Sequence, residues 1–424
     1  MNLHREPIPV AEAVKRVLSL EVENYIEKVN IENSYDRILA EDIVATHSIP
    51  PFNKSPYDGF AIHSESTNDA SKTSPVHIHV IEEIGAGHRA SRAIAPGEAV
   101  RIMTGAEIPE GADCVAMFEI CQTYEAEGES YMTIKRSMEK GQNIIEQGSE
   151  TKKGTLLVEK GTAINPGVKA LLATFGYSTV QVYRKPVVGV FATGTELLDV
   201  DQALEPGKIR NSNAYMVTAQ IERSGAEPLY LGKLADEFDR CYEAVSEALN
   251  KVDMLITTGG VSVGDYDLMP DVYEKLGAEV LFNKIAMRPG SVTTVAQVNG
   301  QLMFGLSGNP SACYVGFELY VYPYIQKSLN KTEPYHSIIE GILGTDIMKP
   351  NPFTRFIRGS VAYEKGKVTV YPAGIDKSAV VTSLAHTNAF IVLKGGTRGY
   401  QKGDKVQVLL LSPNEGSQFF KIDA

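Results

Sequence analysis

The sequence predicts a multidomain α/β protein with a central doubly wound, mainly parallel α/β domain. An N-terminal mixed domain with an inserted β domain precedes it, and a C-terminal β domain follows. Three observations lead to this fold class. The chain has 424 residues, more than one ordinary domain contains. From residue 186 to residue 329, strand patterns alternate with helix patterns, as in parallel sheets covered by helices on both faces. On either side of this region, short strand patterns are separated by turn residues.

The first 185 residues predict a domain that is interrupted by another. Val10, Val14, Val17 and Leu18 recur at helical spacing, so a first amphipathic helix is expected over residues 8–20. VHIHVIEEI, EAVRIMT, CVAMFEI and YMTIKR are strand patterns of a small β domain. A helix at VKALLATF follows, and we expect residues 151–185, which contain it, to pack back on the first helix. The expected division is therefore 1–45 plus 146–185 around an inserted domain at 46–145.

The central region opens with the strand VVGVFAT and the helix SNAYMVTAQIER, which Gly225 would end. PLYLGKL and FDRCYEAVSEALNKV form the next strand and helix. A third strand ends at Gly259-Gly260, and Pro270 stands in the first turn of a helix that ends at Gly277. AEVLFNKIAM is a further strand. We therefore expect this domain to span residues 186–332.

The central domain closes with a hairpin and a long helix. Asn299-Gly300 is a strong two-residue turn signal inside VTTVAQVNGQLMFGL. A very apolar helix is expected from about residue 311 to residue 329. The segment 333–424 then returns to short strands, IIEGILG, FIRGSVAYE, KVTVYPA, AFIVLKG and KVQVLLL. These predict a closing β-barrel or a sandwich.

Composition and charge exclude several classes of protein. An apolar fraction of 43% with 22% charged residues is typical of a soluble globular protein. The net charge of −11 argues against a general nucleic-acid binder, which needs a basic excess to displace phosphate counterions. Cysteines at 114, 121, 241 and 313 have no zinc-site spacing, and their scarcity fits a reducing compartment. No signal-peptide core and no run of roughly 20 apolar residues is present, so we expect a cytoplasmic protein that binds no membrane.

Polar residues follow each strand of the predicted parallel sheet. Because ligands of such sheets lie at the carboxyl ends of the strands, these residues should converge on one site. Glycines allow close backbone approach, cations neutralise oxyanions, and carboxylates suit a hard divalent cation. The pattern indicates binding of a phosphorylated, anionic small molecule. The converging residues are Glu196, Asp236, Gly259, Gly260, Ser262, Asp265, Asp267, Lys284, Arg288, Gly290, Ser307, Gly308, Asn309 and Ser311.

Simpler explanations exist for each residue taken singly. The Gly259-Gly260 turn can be only a tight connection between a strand and a helix. Glu196 and Asp265 can be first-turn helix acids, worth about 0.3–1 kcal/mol against the helix dipole. Lys284 and Arg288 can be solvated surface charges. The convergence of all the strand ends favours the binding site.

Seven motifs in a fixed order resemble the molybdopterin molybdotransferase family, which includes MoeA and the E domain of gephyrin. They are SPYDGFA, RIMTGA, ATGTEL, IRNSNAYM, TTGGVSVGDYD, KIAMRPG and GLSGNPSA, and the resemblance covers nearly the whole chain. It implies a C-terminal β-barrel and a homodimer with an active site shared between subunits. It also implies that adenylylated molybdopterin and molybdate are converted to molybdenum cofactor and AMP with Mg²⁺. The molybdopterin adenylyltransferase that acts upstream is a further partner that it suggests.

The resemblance also assigns roles to residues. It implies Asp58, Thr104, Glu196 and Lys284 as catalytic residues. Glu196, Asp236 and Asp267 would hold Mg²⁺ against the pyrophosphate. The substrate would be bound by Gly259, Gly260, Ser262, Arg288, Gly308 and Asn309. The expected mechanism combines polarisation of the phosphoanhydride by the metal with positioning of molybdate.

The chain departs from the family pattern at several positions. Thr195 replaces the acid of TGDEL, and Ser291 replaces the second lysine of KPGK. Arg288 keeps a charge where the family has lysine, although the two are not equivalent at a phosphate. Ile145 replaces a common arginine, and Glu150 lies in an altered Gly-Ser-Glu motif.

Three other functions fit the same motifs. Adenylylation of molybdopterin uses a similar α/β domain but usually lacks the flanking domains. A non-catalytic pterin-binding scaffold is the second, although 424 residues leave no separate partner-binding domain. Insertion of tungstate in place of molybdate is the third.

Overall fold

The N-terminal mixed domain begins with an amphipathic helix, as predicted. The computed structural model describes residues 6–260, 268–364 and 366–411. Ala13 and Val17 of the first helix are buried against the last helix of the α/β domain. The elements before the inserted domain are α1 (Val10–Ser19), β1 (Ile26–Asn30) and β2 (Ile43–Val44).

The inserted β domain is one six-stranded sheet in the order β6-β3-β5-β4-β8-β7. Its strands are β3 (Gly59–Ile62), β4 (Val76–Ile84), β5 (Glu98–Ile102), β6 (Cys114–Met117), β7 (Cys121–Ala126) and β8 (Glu129–Ile134). Successive residues of a strand point to opposite faces, so Phe60 and Ala61 enter two different apolar clusters. The sheet is therefore buried on both faces.

After the insertion the chain returns to its starting domain. The elements there are β9 (Leu156–Val158), α2 (Pro166–Thr174) and β10 (Thr179–Tyr183). β10 pairs antiparallel with β1, and β9 pairs with β2. Helix α2 begins at Asn165, whose side chain accepts the N–H of Val168 at 2.9 Å. The residues on either side of the inserted domain thus form one unit, as the fold class requires.

The α/β domain is a six-stranded sheet in the order β14-β11-β15-β19-β18-β16. Its elements up to the last helix are β11 (Val187–Ala192), β12 (Leu197–Leu198), β13 (Ile209–Arg210), α3 (Asn213–Arg223), β14 (Glu227–Lys233), α4 (Phe238–Leu249), β15 (Met254–Thr258), α5 (Met269–Lys275), β16 (Glu279–Phe282), β17 (Met287–Arg288), β18 (Thr294–Val298) and β19 (Gln301–Leu306). β11, β14, β15 and β19 are parallel, whereas β18 runs antiparallel to both neighbours. Asn299 and Gly300 both have positive φ, which confirms the predicted tight hairpin.

Helices cover both faces of this sheet. Apolar side chains of α1, α3 and the last helix pack on one face with Val190, Ile256 and Phe304. Helices α4 and α5 pack on the other face against Leu255 and Met303. The doubly wound, mainly parallel domain is therefore confirmed.

The last helix is continuous from residue 310 to residue 328 but is not regular. It consists of α6 (Pro310–Gly316), a π-helical turn (Phe317–Val321) and α7 (Tyr322–Ser328). Pro323 lacks the N–H that a regular helix would donate to the carbonyl of Leu319, and the wider turn lies directly before it. The sequence predicted the extent of this helix but not its π turn.

The C-terminal strands are β20 (Ile338–Leu343), β21 (Thr354–Glu364), β22 (Lys367–Pro372), β23 (Ala389–Leu393) and β24 (Lys405–Leu410). They pair in the order β21-β22-β20-β24-β23, and β23 pairs again with β21. The sheet closes on itself, so the domain is a five-stranded β-barrel and not a sandwich. In the described part of the chain, no helix combines the length and apolarity needed to cross a bilayer.

Candidate active site

The carboxyl ends of the parallel strands form one edge of the central sheet, where the sequence predicted a site. Backbone hydrogen bonds hold the first turns of this edge together. Thr193 N donates to Thr258 O at 3.1 Å, and Gly259 N donates to Leu306 O at 2.8 Å. The turns after β11, β15 and β19 are therefore adjacent, so the predicted convergence of these strand ends occurs.

The glycines of this edge are required by space and by backbone conformation. Gly259 has a φ of 94°, and a Cβ there would lie 2.7 Å from Thr193 Oγ1. Gly260 also has positive φ, at 64°. A Cβ on Gly308 would lie 3.5 Å from the Cα of Gly259. Side chains are thus excluded where three strand ends meet, which allows a ligand to approach the backbone closely.

The acidic candidates Glu196 and Asp236 follow β11 and β14, and both are exposed. Glu196 lies in the turn between β11 and β12, and its carbonyl accepts the N–H of Ile209 at 2.9 Å. No helix starts there, so the interpretation of Glu196 as a first-turn helix acid is wrong. Both carboxylates face solvent and are open to a cation or a substrate.

The rest of the predicted acidic cluster lies outside the described residues. Ser262, Asp265 and Asp267 belong to segment 261–267. Within residues 6–260, 268–364 and 366–411, no group of three or more His, Cys, Asp or Glu side chains is arranged to hold a metal ion. The predicted role of Asp267 in binding metal therefore stays a prediction.

A cleft of about 620 Å³ separates this sheet edge from the β-barrel. The α/β domain contributes Arg288, Ser307 and Asn309, which are three of the residues that the sequence singled out. Asn309 occupies the N-cap position of α6, but its side chain makes no capping hydrogen bond. The barrel side contributes three cations that the sequence analysis missed, Lys349, Arg355 and Lys377.

Main-chain pairing holds the two sides of the cleft in register. β17 pairs with the start of β21, which places Arg288 beside Arg355. Ser311 N donates to Ser378 O at 3.0 Å, and Ser311 Oγ donates to Val380 O at 2.6 Å. Ser311 thus joins the start of α6 to the barrel and does not bind an anion through its hydroxyl.

One carboxylate organises the basic wall of the barrel. Asp376 accepts hydrogen bonds from both Arg355 and Arg358, and the Arg358 Nη1 distance is 2.8 Å. Arg358 is almost fully buried, and burial lowers its pKa despite the favourable charge of Asp376. Arg355 Nη1 also donates to Lys349 O at 3.2 Å. Since Asp376 is shared by two guanidinium groups, the wall keeps an excess of positive charge.

Lys284 follows β16 but is not among the residues that line the cleft. Its carbonyl accepts the N–H of Ile8 at 3.1 Å, and the side chain is partly buried. Ser291 O accepts the N–H of Ile285 at 2.9 Å, so the family departure at Ser291 lies in the same loop. The loop 284–291 therefore brings Arg288, Gly290 and Ser291 to the cleft, and the predicted catalytic role of Lys284 stays a prediction.

Asp58 and Thr104 form a second cluster, in the inserted β domain. Asp58 precedes β3 and Thr104 follows β5, and these strands are neighbours. Asp58 Oδ1 accepts the Thr104 N–H at 2.6 Å and the Thr104 Oγ1 hydroxyl at 2.8 Å. Both hydrogen bonds lower the pKa of Asp58, and the bond from the N–H has the larger effect. The positive charge of Arg101 lowers it further. Asp58 is therefore an exposed, ionised carboxylate with a fixed orientation.

In the described part of the protein, no hydrogen bond or ion pair joins Asp58 or Thr104 to the α/β domain. Two of the family departures lie in the segment that follows the inserted sheet. Ile145 and Lys54 exchange backbone hydrogen bonds of 2.9 and 3.0 Å, and the N–H of Glu150 donates to Ile49 O at 3.0 Å.

The residues of the barrel wall could have been noticed from their charge. Arg355 and Arg358 interrupt an otherwise apolar strand pattern, FTRFIRGSV, and both are buried. Buried arginines need partners, so they mark a polar site inside a predicted barrel. Their partner Asp376 lies on a different segment, and only the folded chain brings the three together.

Comparison with known families covers nearly all of the chain. The MoeA N-terminal region (domain I and II) matches residues 8–176. A probable molybdopterin binding domain matches residues 189–327. The MoeA C-terminal region (domain IV) matches residues 340–411.

Individual relatives agree with these matches. The chain is 58% identical over 415 residues to the molybdopterin molybdenumtransferase of Bacillus subtilis, covering 98% of this chain and 96% of that protein. It is 50% identical over 410 residues to the enzyme of that name from Staphylococcus epidermidis, covering 97% of each. A crystal structure of the molybdopterin biosynthesis protein MoeA from Pyrococcus horikoshii has a TM-score of 0.84 at 30% identity, covering 96% of this chain and 100% of that one.

Proposed function

The chain belongs to the MoeA family of molybdopterin molybdenumtransferases, and from this membership we propose how its site works. It is a transferase of molybdenum cofactor biosynthesis. The reaction we propose for it inserts molybdate into adenylylated molybdopterin and releases AMP. The observation that supports this most strongly is the basic cleft between the sheet edge and the barrel.

The cleft has the charge and shape for an oxyanion substrate. Arg288 lies opposite Arg355, and Lys377 and Lys349 add two flexible ammonium groups. Guanidinium groups can bind a tetrahedral oxyanion through two parallel hydrogen bonds, whereas ammonium groups act as point charges. Molybdate would be held here beside the glycine turns, which suit the phosphate groups of the pterin nucleotide. Holding both reactants in one cleft supplies the proximity that the transfer needs.

Exposed carboxylates at the same edge fit a magnesium ion. Mg²⁺ usually takes one or two protein carboxylates together with substrate phosphates, and Glu196 and Asp236 are two such groups. Asp267 would be a third from segment 261–267. When bound, Mg²⁺ would neutralise charge on the phosphoanhydride as the bond to AMP breaks. The residues of the chain would fix the position of that linkage relative to molybdate.

A second copy of the chain would complete the site. Asp58 and Thr104 are exposed on the inserted domain, and among the described residues they have no hydrogen-bond partner on the α/β domain. Next to Glu196, Val200, Leu204 and Ile209 are exposed by 50, 64 and 57%. Such an apolar surface favours burial in an interface. A homodimer would bring Asp58 of one subunit to the sheet edge of the other.

The competing functions explain fewer observations. An adenylyltransferase would account for the α/β domain but not for the cations that the barrel contributes to the cleft. A non-catalytic pterin-binding scaffold would not need cations for a second, oxyanion reactant. We also propose that the protein is cytoplasmic and receives its adenylylated substrate from the upstream molybdopterin adenylyltransferase.

Release of AMP tests this function directly. Purified protein would be mixed with adenylylated molybdopterin and Mg²⁺, with molybdate, with tungstate, or with neither oxyanion. We expect AMP release that depends on molybdate. The proposal would be refuted if no AMP were released with molybdate, or if AMP were released equally well with molybdate and without any oxyanion. Release with tungstate alone would assign the chain to tungsten cofactor synthesis.

A further inference from the structure

A small polar cavity of about 90 Å³ lies where the N-terminal domain meets the α/β domain. Its lining comes from residues 36–38, Lys185, the end of α3 and the end of the last helix with Lys331. At the start of α3, the Asn213 side chain donates to Gly308 O beside the cleft, at 2.8 Å. The other end of α3 reaches the cavity, roughly 16 Å away at 1.5 Å per residue. The cavity is thus at the opposite edge of the sheet and separate from the active site.

Positive charge is concentrated around this cavity. Four cations line it, Arg37, Lys185, Arg223 and Lys331, against one carboxylate, Asp36. Asp36 is exposed, so water screens its charge. The sign of this cluster is opposite to the net charge of the chain, which is −11.

The two arginines already have partners. Arg37 donates to Glu27 Oε1 at 2.5 Å and to Tyr183 O at 2.9 Å. Arg223 donates to the buried carboxylate of Glu318. These bonds fix both guanidinium groups at the cavity wall and leave other N–H groups of each fork for a ligand.

The two lysines differ from the arginines. In the described part of the chain, neither Lys185 nor Lys331 makes a side-chain hydrogen bond or an ion pair, and both are partly buried. Burial lowers the pKa of Lys331, and the charge of Asp36 opposes this only in part. Asp36, the single carboxylate in the cavity lining, is exposed and neutralises the two half-buried ammonium groups incompletely, so the fold leaves a place for an anion.

We propose that this cavity binds a tetrahedral inorganic dianion, of the class of phosphate and sulfate, between Lys185 and Lys331. The volume of 90 Å³ equals about three waters at roughly 30 Å³ each, which suits one such ion. Lys185 lies at the junction before β11, and Lys331 follows the last helix. The bound dianion would connect the N-terminal domain to the α/β domain by charge.

Titration of the full-length protein tests this site. Potassium phosphate, and sulfate in a parallel series, would be titrated calorimetrically at constant ionic strength set with potassium chloride. We expect a binding event that Lys185→Gln and Lys331→Gln each weaken at least tenfold. Lys331→Arg should retain it, because the charge is kept. The exposed Lys140→Gln is the matched control and should bind as the wild type does.

A second variant separates this cavity from the cleft. The same binding event should survive Lys377→Gln, which removes a cation from the active site only. Absence of phosphate and sulfate binding in the wild type would overturn the proposal. Binding that persists in the Lys185→Gln/Lys331→Gln double variant, or that disappears in Lys377→Gln, would also overturn it. None of these outcomes depends on AMP release, so the test stands apart from that of the proposed function.

Discussion

Asp58 Oδ1 accepts two hydrogen bonds from a single residue, Thr104, one from its N–H at 2.6 Å and one from its hydroxyl at 2.8 Å. The pair joins the start of β3 to the end of β5, and among the described residues neither member bonds to the α/β domain. Both donors favour the ionised carboxylate and lower its pKa. The inserted domain therefore presents a fixed negative charge at its surface, which fits a group that acts on another subunit.

Thr104→Val should raise the pKa of Asp58 towards its ordinary value. The variant removes the hydroxyl donor but keeps the backbone N–H, which is the larger cause of the lowering, so part of the effect should remain. The pKa can be followed by carbon NMR of the labelled carboxyl group. Thr104→Ser keeps the hydroxyl and should behave as the wild type. An unchanged or lower pKa in Thr104→Val would contradict the role of this bond.

Gly259→Ala should disable the sheet edge. The new Cβ would lie 2.7 Å from Thr193 Oγ1 and 2.8 Å from Thr193 O, at a φ of 94°. We expect a loss of AMP release of at least tenfold and a lower unfolding temperature. Gly277→Ala is the matched control, because Gly277 also has positive φ but has open space around it. That variant should cost about 1–2 kcal/mol in stability and little activity. Equal effects of the two variants would show that the crowding at Gly259 is unimportant.

Lys377→Gln should weaken molybdate use. The side chain lines the cleft as one of its barrel cations. A hydrogen bond to a charged group is worth about 1.5–3 kcal/mol, which corresponds to a rise in the KM for molybdate of roughly 10–100-fold. The exposed Lys402 lies on the same barrel away from the cleft, so Lys402→Gln should leave the KM unchanged. A normal molybdate KM in Lys377→Gln would remove this lysine from the site.

Glu318→Ala should destabilise the α/β domain. Glu318 is fully buried in the π turn and accepts hydrogen bonds from His336 at 2.7 Å, Gln220 at 2.6 Å and Arg223. Burial alone would raise its pKa, but these partners outweigh burial and the pKa is lowered. Removing one member of a buried charge network costs about 3–5 kcal/mol.

Urea unfolding near neutral pH measures this loss. Because the folded pKa of Glu318 is lowered, its contribution is present above the unfolded value of 4.5 and is lost as the pH falls through the folded value. The difference between variant and wild type should therefore shrink in acid. Glu222→Ala, an exposed change on α3, should stay within about 0.5 kcal/mol of the wild type. If Glu318→Ala lowered the free energy of unfolding no more than Glu222→Ala does, the buried network would be shown not to stabilise the domain.

Local patterns predicted the elements of this fold well. The hairpin at Asn299-Gly300, the end of α3 at Gly225 and the helix after Pro270 depend on turn and capping chemistry within a few residues. Alternation of strands and helices predicted the parallel sheet and, through it, the edge where Gly259 and Gly308 meet.

Long-range pairing limited the prediction of the site. Neither the pairing of Arg288 with Arg355 nor the sharing of Asp376 by two arginines leaves a local signal. The first pair joins two domains, and Asp376 lies 21 and 18 residues after its two arginines. Barrel closure depends on β23 pairing with β21, which short strand patterns could not distinguish from a sandwich. The π turn before Pro323 was missed because the apolar pattern around it is continuous.

Mixed dimers test the shared site most directly. Asp58→Ala and Glu196→Ala chains would be expressed separately and together, and molybdate-dependent AMP release would be measured on folded protein. Each variant alone should be inactive, because every site lacks one carboxylate. Random co-assembly should restore roughly a quarter of wild-type activity, since half of the dimers carry one intact site. Wild-type activity in either single variant, or no recovery in the mixture, would contradict a site in which Asp58 of one subunit acts at the sheet edge of the other.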